Sequence, residues 1–299
     1  MIVGIIGGGA WGRALATLTA EAGNRPRIGY RNQPPRGFPG TPNLEALAQE
    51  TDLLVLAVPP EGVAGVVAQA QLQPQHRVLV AARGLEPDTG RWLSKVVTEA
   101  SPCRRVGALA GPTLAAEVMA RRPGAMVVAS AFDEVSAMAQ QALHSPICRV
   151  YSSSDLVGVE LAGAMVSVLS VAVGIADGLR LGVGVQGVIV TRGLAEARRL
   201  GRALGADDAT FAGLAGVGDL VACGNHPEHP GYIVGRALAR SESITPATRT
   251  TSEAGALLAL GGRHGVELPL TQAIAAIASG RLQPRLAIDM LMRRDATRE

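Results

Sequence analysis

Lysine is nearly missing from this chain. Of its 28 lysine and arginine residues, Lys95 is the only lysine. A cation in a binding site is therefore an arginine or a histidine, and a guanidinium does not release its proton near neutral pH. Aromatic residues make up 3%, too few for the stacking platforms of nucleic-acid binders. The net charge is only +3 and no block of basic residues exists, so no nucleic-acid partner is expected. Cys103, Cys148 and Cys223 are odd in number and lack metal-ligand spacing. They read as buried thiols in a reducing compartment, and no metal site is expected. The longest uncharged run, Leu161 to Ala176, is short for a membrane span and rich in Gly, Ala and Ser, so it reads as a core helix. The first residues lack the basic region of a secretory signal, and glycines interrupt their apolar segment. A cytoplasmic protein without a membrane span is expected. The composition, 47% hydrophobic and 18% charged over 299 residues, is globular and long enough for two domains.

What is present begins at residues 2–12, IVGIIGGGAWG. Ile2, Val3, Ile5 and Ile6 form an uncharged apolar run; Gly7, Gly8, Gly9, Ala10, Trp11 and Gly12 follow, and then a helix-forming stretch. The turn fits G-x-G-x-x-G between strand and helix, the fingerprint of dinucleotide-binding folds. In that pattern Gly7 makes the sharp turn, Gly9 admits a pyrophosphate close to the backbone, and Gly12 lets the helix pack on the strand. The helix N-terminus offers N–H groups and a partial positive charge to phosphates.

Residues 26–30 can form the second strand. An acidic residue just after it favours NAD, and an arginine accommodates the extra phosphate of NADP. Arg31 and Asn32 stand there, with Arg36 close by, so NADP is the preferred cofactor and NAD the alternative. Residues 33–42 carry four prolines and two glycines and read as a loop. Strands at 53–58 and 77–82 and helices at 43–50, 61–70 and 89–100 continue the alternation, and Val58-Pro59-Pro60 ends one strand where a ligand would sit. Alternation of strand and helix to about residue 150 predicts an α/β domain with a doubly wound, mostly parallel sheet, residues 1–152. From 154 onward helices are expected at 154–179, 185–204, 209–222, 232–241, 251–264, 269–279 and 284–293. Residues 153–299 thus read as an all-α domain that follows the Rossmann-type one. Asp177 is expected to end the first of these helices through a turn at Gly178. His226, His229 and Tyr232 follow Asp219 and either supply a donor to the site or belong to a solvated loop, the reading preferred here. Glu160 is expected either to face the cleft or to cap a turn.

Several segments together resemble one family: GGGAWGRALA (8–17), VLAVPPEGV (55–63), RGLE (83–86), AGPTLAAEV (110–118), ELAGAMVSVLSVAVGIADGLRLG (160–182), TRGLAEARRLGRALGA (191–206), TFAGLAGVGDLV (210–221) and GVELPLTQAI (265–274). The chain resembles the bacterial NAD(P)-dependent glycerol-3-phosphate dehydrogenases from residue 2 to about 294. The resemblance implies a Rossmann-type sheet followed by a helical domain of the 6-phosphogluconate-dehydrogenase-like kind. It also implies hydride transfer between a nicotinamide and dihydroxyacetone phosphate or glycerol 3-phosphate. On the cofactor side, Gly7 to Gly12, Pro59, Gly111, Thr113 and Ala115 match the family. The residues here depart from it on the substrate side. The family's catalytic lysine is Val166 and the asparagine after it is Ser167. A second lysine is Arg83, the Ser-Arg-Asn motif is His229-Pro230-Gly231, and a threonine is Cys223. Asp219 is retained. Arg249 falls where the family has a glutamate contacting the cofactor. The resemblance implies catalytic roles for Asp219 and Arg83, a small-molecule substrate in an altered site, and leaves a homodimer open. A dehydrogenase for another small substrate and a nucleotide-binding protein without catalysis stay open as alternatives.

Overall fold

The computed structural model of the chain describes residues 1–87, 89–242 and 247–292. Eight strands form one sheet: β1 (Ile2–Ile6), β2 (Arg25–Gly29), β3 (Gly40–Thr41), β4 (Leu53–Leu56), β5 (Arg77–Val80), β6 (Arg105–Ala110), β7 (Gly124–Ser130) and β8 (Cys148–Ser153). Their spatial order is β3-β2-β1-β4-β5-β6-β7-β8, and neighbours run parallel except for β6 against β7. A parallel sheet is covered on both faces, so its inner strands read as continuous apolar runs. Successive side chains point to opposite sides. Val3, Ile5 and Val55 pack with Leu15 and Leu18 of α1 (Ala10–Glu21) and with residues of a later helix at 133–143. Ile6, Leu54 and Leu56 pack on the other face with α2 (Leu44–Glu50), α3 (Val63–Ala70) and α4 (Leu93–Ala100). Then come the short α5 (Ala115–Met119) and α6 (Asp133–Leu143).

The chain runs outward from β1 through β2 and β3, then returns to place β4 on the other side of β1. This reversal is the switch point at which open α/β sheets bind ligands, beyond the carboxyl ends of the strands. The expected doubly wound sheet is present. Its strands end earlier than the apolar runs suggest, β4 at Leu56 and β5 at Val80, because the chain turns into the loops of the ligand edge.

The second half is helical: α7 (Leu156–Gly178), α8 (Val183–Ala203), α9 (Asp208–Ala212), a π-helical turn (Leu214–Gly218), α10 (Asp219–Gly224), α11 (Pro230–Ala239), α12 (Ala247–Arg263), α13 (Pro269–Ala278) and α14 (Pro284–Met292). Helix α7 is long and apolar enough to cross a membrane by length and composition, yet 78% of its most apolar window is buried. It is the axis of the lobe, packed by α8, α10, α11, α12 and α13 and reaching β6 of the sheet. Asp155 caps it, accepting from the Gly158 N–H at 2.8 Å, and also accepts from Thr210 at 2.6 Å, which ties α9 to its start. Glu196 of α8 accepts from the Thr271 N–H and hydroxyl at 3.1 and 2.8 Å and so caps α13.

One expectation is corrected here. The helix expected over 209–222 is broken into α9, the π-helical turn and α10. Helix α7 ends at Gly178, next to Asp177, and the left-handed residues of the turn that follows are Arg180 (φ 57°) and Gly182 (φ 83°). Gly178 is required by packing, since a Cβ there would lie 2.6 Å from the Ala239 Cβ.

Candidate active site

The strand, glycine turn and helix expected at residues 2–21 are present as β1, the turn at Gly7–Gly9 and α1. Gly7 has φ 126°, and a Cβ on it would lie 2.3 Å from the Ala57 carbonyl oxygen. A Cβ on Gly12 would lie 1.7 Å from the Gly7 carbonyl oxygen, so turn and helix touch backbone to backbone. Gly9 is different: nothing lies within 4 Å of where its Cβ would be. The space above Gly9 opens to solvent, Ala10 beside it is exposed, and α1 starts with no side-chain cap. Unpaired first-turn N–H groups and bare backbone fit the pyrophosphate of a dinucleotide. Gly8 is half-buried beside Tyr30. Trp11 closes one side, its indole N–H donating to the Ala81 carbonyl at 2.9 Å and joining the cradle to the end of β5. Arg31 and Asn32 are exposed just past β2, and Pro59 lies just past β4, leading into the turn Pro60–Gly62.

Two residues beyond Ala81, Arg83 reaches across to the helical lobe. Its Nε and Nη2 donate to Asp219 Oδ2 and Oδ1 at 2.7 and 2.6 Å, and Nη2 also donates to the Gly111 carbonyl at 3.2 Å. Asp219 starts α10, directly after the π-helical turn, and is fully buried; the Arg83 side chain is 28% exposed. Cys223, one turn on, donates its thiol to Asp219 Oδ1 at 3.4 Å. Desolvation alone would lower the Arg83 pKa; the Asp219 carboxylate beside it more than restores the charge, and the net direction is upward. Burial raises the Asp219 carboxyl against the opposing pull of Arg83, and burial pushes the Cys223 thiol well up. Arg83 is thus a permanent cation held rigidly in a bidentate fork at the cleft.

The structure brings Arg83, Asp219 and Gly111 together. It places the other expected residues differently. Thr113 is buried and spends its hydroxyl on the Ala125 carbonyl at 2.9 Å, so its side chain braces the loop against β7. Ala115 is the first residue of α5. Val166 is 1% exposed and belongs to the apolar core around α7. On the same helix, Gly163 lies against the Arg83 side chain, 3.8 Å from its Cγ to the would-be Cβ. One turn further, Ser167 donates to Glu253 at 2.5 Å. Arg249 meets the cleft too, donating to the Arg83 carbonyl at 3.5 Å, with Glu253 one turn after it on α12.

Three groups gain meaning only from the fold. Glu253 is 2% exposed, and its Oε1 has no hydrogen-bond partner. His229 is not a solvated loop residue: its Nδ1 is buried without a partner, and burial, then the Arg83 charge, then His226, lower its pKa to about 4. It is a neutral imidazole at physiological pH. Glu160 caps rather than faces the cleft openly, accepting from the Ser94 N–H at 2.9 Å and hydroxyl at 2.5 Å. Glu253 carries no local motif in the sequence; only the contact of α12 with the loop after β5 reveals it.

An open phosphate cradle at the switch point, facing a helical lobe that contributes a buried carboxylate, defines a two-domain dinucleotide-binding protein of the Rossmann class. The sequence profile of the NAD-dependent glycerol-3-phosphate dehydrogenase N-terminus matches residues 30–136, and that of the same family's C-terminus matches residues 155–289. The glycerol-3-phosphate dehydrogenase (NAD(P)+) of Streptomyces coelicolor is 36% identical over 99% of this chain and 97% of its own. That of Synechococcus elongatus is 37% identical over 100% and 98%. The crystal structure of glycerol-3-phosphate dehydrogenase from Coxiella burnetii superposes with a TM-score of 0.88 at 29% identity, over 98% of this chain and 99% of that one. The chain belongs to the NAD-dependent glycerol-3-phosphate dehydrogenase family.

Proposed function

We propose that this protein is an NAD(P)-dependent oxidoreductase that interconverts a carbonyl and an alcohol on a small substrate, with the dihydroxyacetone phosphate and glycerol 3-phosphate pair of its relatives as the first substrates to test. The observation that carries the reading is the Arg83–Asp219 fork, set across the two lobes within two residues of the strand end that Trp11 ties to the open cradle. When bound, the dinucleotide supplies or accepts the hydride; the rest falls to this chain. The Gly9 backbone and the α1 N-terminus hold the pyrophosphate. Arg31, Asn32 and Arg36 favour the extra phosphate of NADP. The exposed edge of Arg83 presents fixed positive charge to the oxygen on which negative charge develops; because the guanidinium keeps its own proton, the alkoxide takes its proton from solvent, and returns it there in the reverse direction. Asp219 and the Gly111 carbonyl fix the plane of that guanidinium, and so act as positioning groups.

The region 1–152 serves as the nucleotide lobe and the region from 153 onward as the substrate lobe. Three free, buried cysteines suit a reducing, cytoplasmic setting, and a homodimer is compatible with this reading.

A second reading is favoured by one feature: His229-Pro230-Gly231 stands where the family grips phosphate, and His229 is neutral. An oxidoreductase of the same architecture for an unphosphorylated carbonyl compound would need no cation there. The test measures NADPH oxidation by the wild-type protein with dihydroxyacetone phosphate, and with small aldehydes and 2-oxo acids. Turnover of dihydroxyacetone phosphate supports the first reading. Turnover of unphosphorylated compounds alone supports the second. Cofactor binding without turnover of any of them overturns both and leaves a nucleotide-binding protein.

A further inference from the structure

Glu253 is a buried acid at the cleft whose Oε1 accepts no hydrogen bond, and whose nearest counter-charge is a loose ion pair with Arg249. It projects from α12 to the carboxyl edge of the sheet, where the loops after β4 and β5 meet. Its Oε1 fills the space that a side chain at position 84 would take: a Cβ on Gly84 (φ 102°) would lie 2.1 Å from it and 3.6 Å from Pro60 Cγ. Its other oxygen, Oε2, accepts from Ser167 of α7 at 2.5 Å. The surrounding charges are few. Arg249 on the same helix forms a long ion pair, its Nε 3.6 Å from Oε1, and draws the carboxyl downward against burial. Glu61, at the start of the element after β4, opposes a second negative charge. Arg83, next to Gly84, has its guanidinium committed to Asp219. A buried carboxylate with an unpaired oxygen is costly, and the usual resolution is to keep the proton. Burial indeed shifts Glu253 upward.

Pro60 and Gly84 are buried in the loops that follow the carboxyl ends of β4 and β5, the edge of an open α/β sheet along which a dinucleotide with its pyrophosphate over Gly9 would extend. The oxidised ring carries a positive charge and the reduced ring does not. A positive charge brought to Oε1 stabilises the carboxylate; a neutral ring does not. We propose that Glu253 discriminates between the two oxidation states of the dinucleotide: it holds a proton in the free protein and with the reduced form, and gives it up to solvent when the oxidised form binds. The proposal rests on the dinucleotide reading of the cleft. It makes Glu253 a group that favours the oxidised cofactor as pH rises, and one that carries no role in the binding of phosphate.

The experiment is calorimetric titration of the full-length protein with NADP+ and with NADPH, in two buffers of different ionisation enthalpy, from about pH 5.5 to 8.5. The expected result is proton release on NADP+ binding in excess of that on NADPH binding. The ratio of the two affinities then shifts toward NADP+ with rising pH, by at most about tenfold per pH unit for one proton. The nucleotide phosphates are common to both forms and drop out of this difference. Glu253→Gln is expected to bind both forms and to abolish the difference. If that variant does not fold, infrared difference spectra of the wild type labelled with carboxyl-13C glutamate decide: a protonated-carboxyl band is lost with NADP+ and kept with NADPH. Equal proton release for both forms, an unchanged difference in Glu253→Gln, or an unchanged carboxyl band overturns the proposal while leaving the dinucleotide reading intact. Binding of neither nucleotide overturns both.

Discussion

Arg83 and Asp219 meet through two parallel N–H···O bonds of 2.7 and 2.6 Å, one residue from each lobe. The family resemblance leaves Asp219 without the lysine it would expect, since Val166 stands in that place. The structure supplies Arg83 instead, from the opposite side of the cleft. The pair therefore does two things at once: it joins the lobes and holds the cleft's fixed cation.

Removing one partner leaves a buried charge uncompensated. Arg83→Ala is expected to cost about 3–5 kcal/mol of unfolding free energy, measured by urea denaturation. Adding Asp219→Asn to it should restore a substantial part of that loss. Arg83→Lys, which keeps the charge but not the planar fork, should cost less than Arg83→Ala. A double variant no more stable than Arg83→Ala alone would show that the pair is not the main link.

The glycines of the turn separate folding from ligand binding. Gly12→Ala puts a methyl 1.7 Å from the Gly7 carbonyl oxygen, so it should unfold or severely destabilise the protein. Gly9→Ala meets nothing within 4 Å and should leave the thermal midpoint almost unchanged. It should nevertheless abolish the stabilisation that saturating NADPH confers, because the methyl occupies the pyrophosphate's place. Both outcomes are read in one thermal-shift series. Full NADPH stabilisation of Gly9→Ala would remove the dinucleotide from this turn.

Much of this was legible in residue order. An uncharged apolar strand, a glycine turn and a helix have a local physical cause, so the cradle at Gly7 to Gly12 could be located before any fold. The change from alternating elements to unbroken helices near residue 154 was visible for the same reason. The resemblance puts both Arg83 and Asp219 at the cleft, but their direct pairing was not legible, because 136 residues separate them and nothing local ties one to the other. Glu253 was hidden one helical turn behind Arg249, which the family comparison places at a glutamate position; counting along a helix cannot tell which turn faces the sheet. His229 reads as a loop residue because a histidine beside prolines has the composition of a solvated loop; the fold places it at the start of α11, where its ring is partly buried and feels the Arg83 charge.

Cofactor choice is expected to depend on the exposed residues after β2. Arg31→Glu with Arg36→Ala should weaken NADPH binding by about tenfold to a hundredfold, the worth of one or two bonds to a charged phosphate. NADH binding should change little. The measurement is fluorescence titration with both nucleotides. An equal loss for both would place the ribose phosphate elsewhere.

Stability should also vary with pH through Glu160. Burial raises its carboxyl to about 7, against lowering by the Ser94 hydroxyl, the N–H groups of Ser94 and Leu93, and the Lys95 charge. In the unfolded chain a glutamate titrates near its ordinary value. Between about pH 4.5 and 7 the folded state therefore binds more protons than the unfolded one, and stability falls as pH rises through that window. Above it the full cost is present, at most on the order of 3 kcal/mol for a shift of this size. Glu160→Gln keeps an acceptor for the Ser94 N–H and removes the charge. It should make the fall of the urea midpoint between pH 5 and 7 shallower, the raised Asp219 and Glu253 carboxyls keeping a remainder of the same sign, and leave the protein at least as stable as wild type at pH 8. A wild-type midpoint that rises through this window, or a Glu160→Gln variant with the same downward slope as wild type, would assign the dependence to another group.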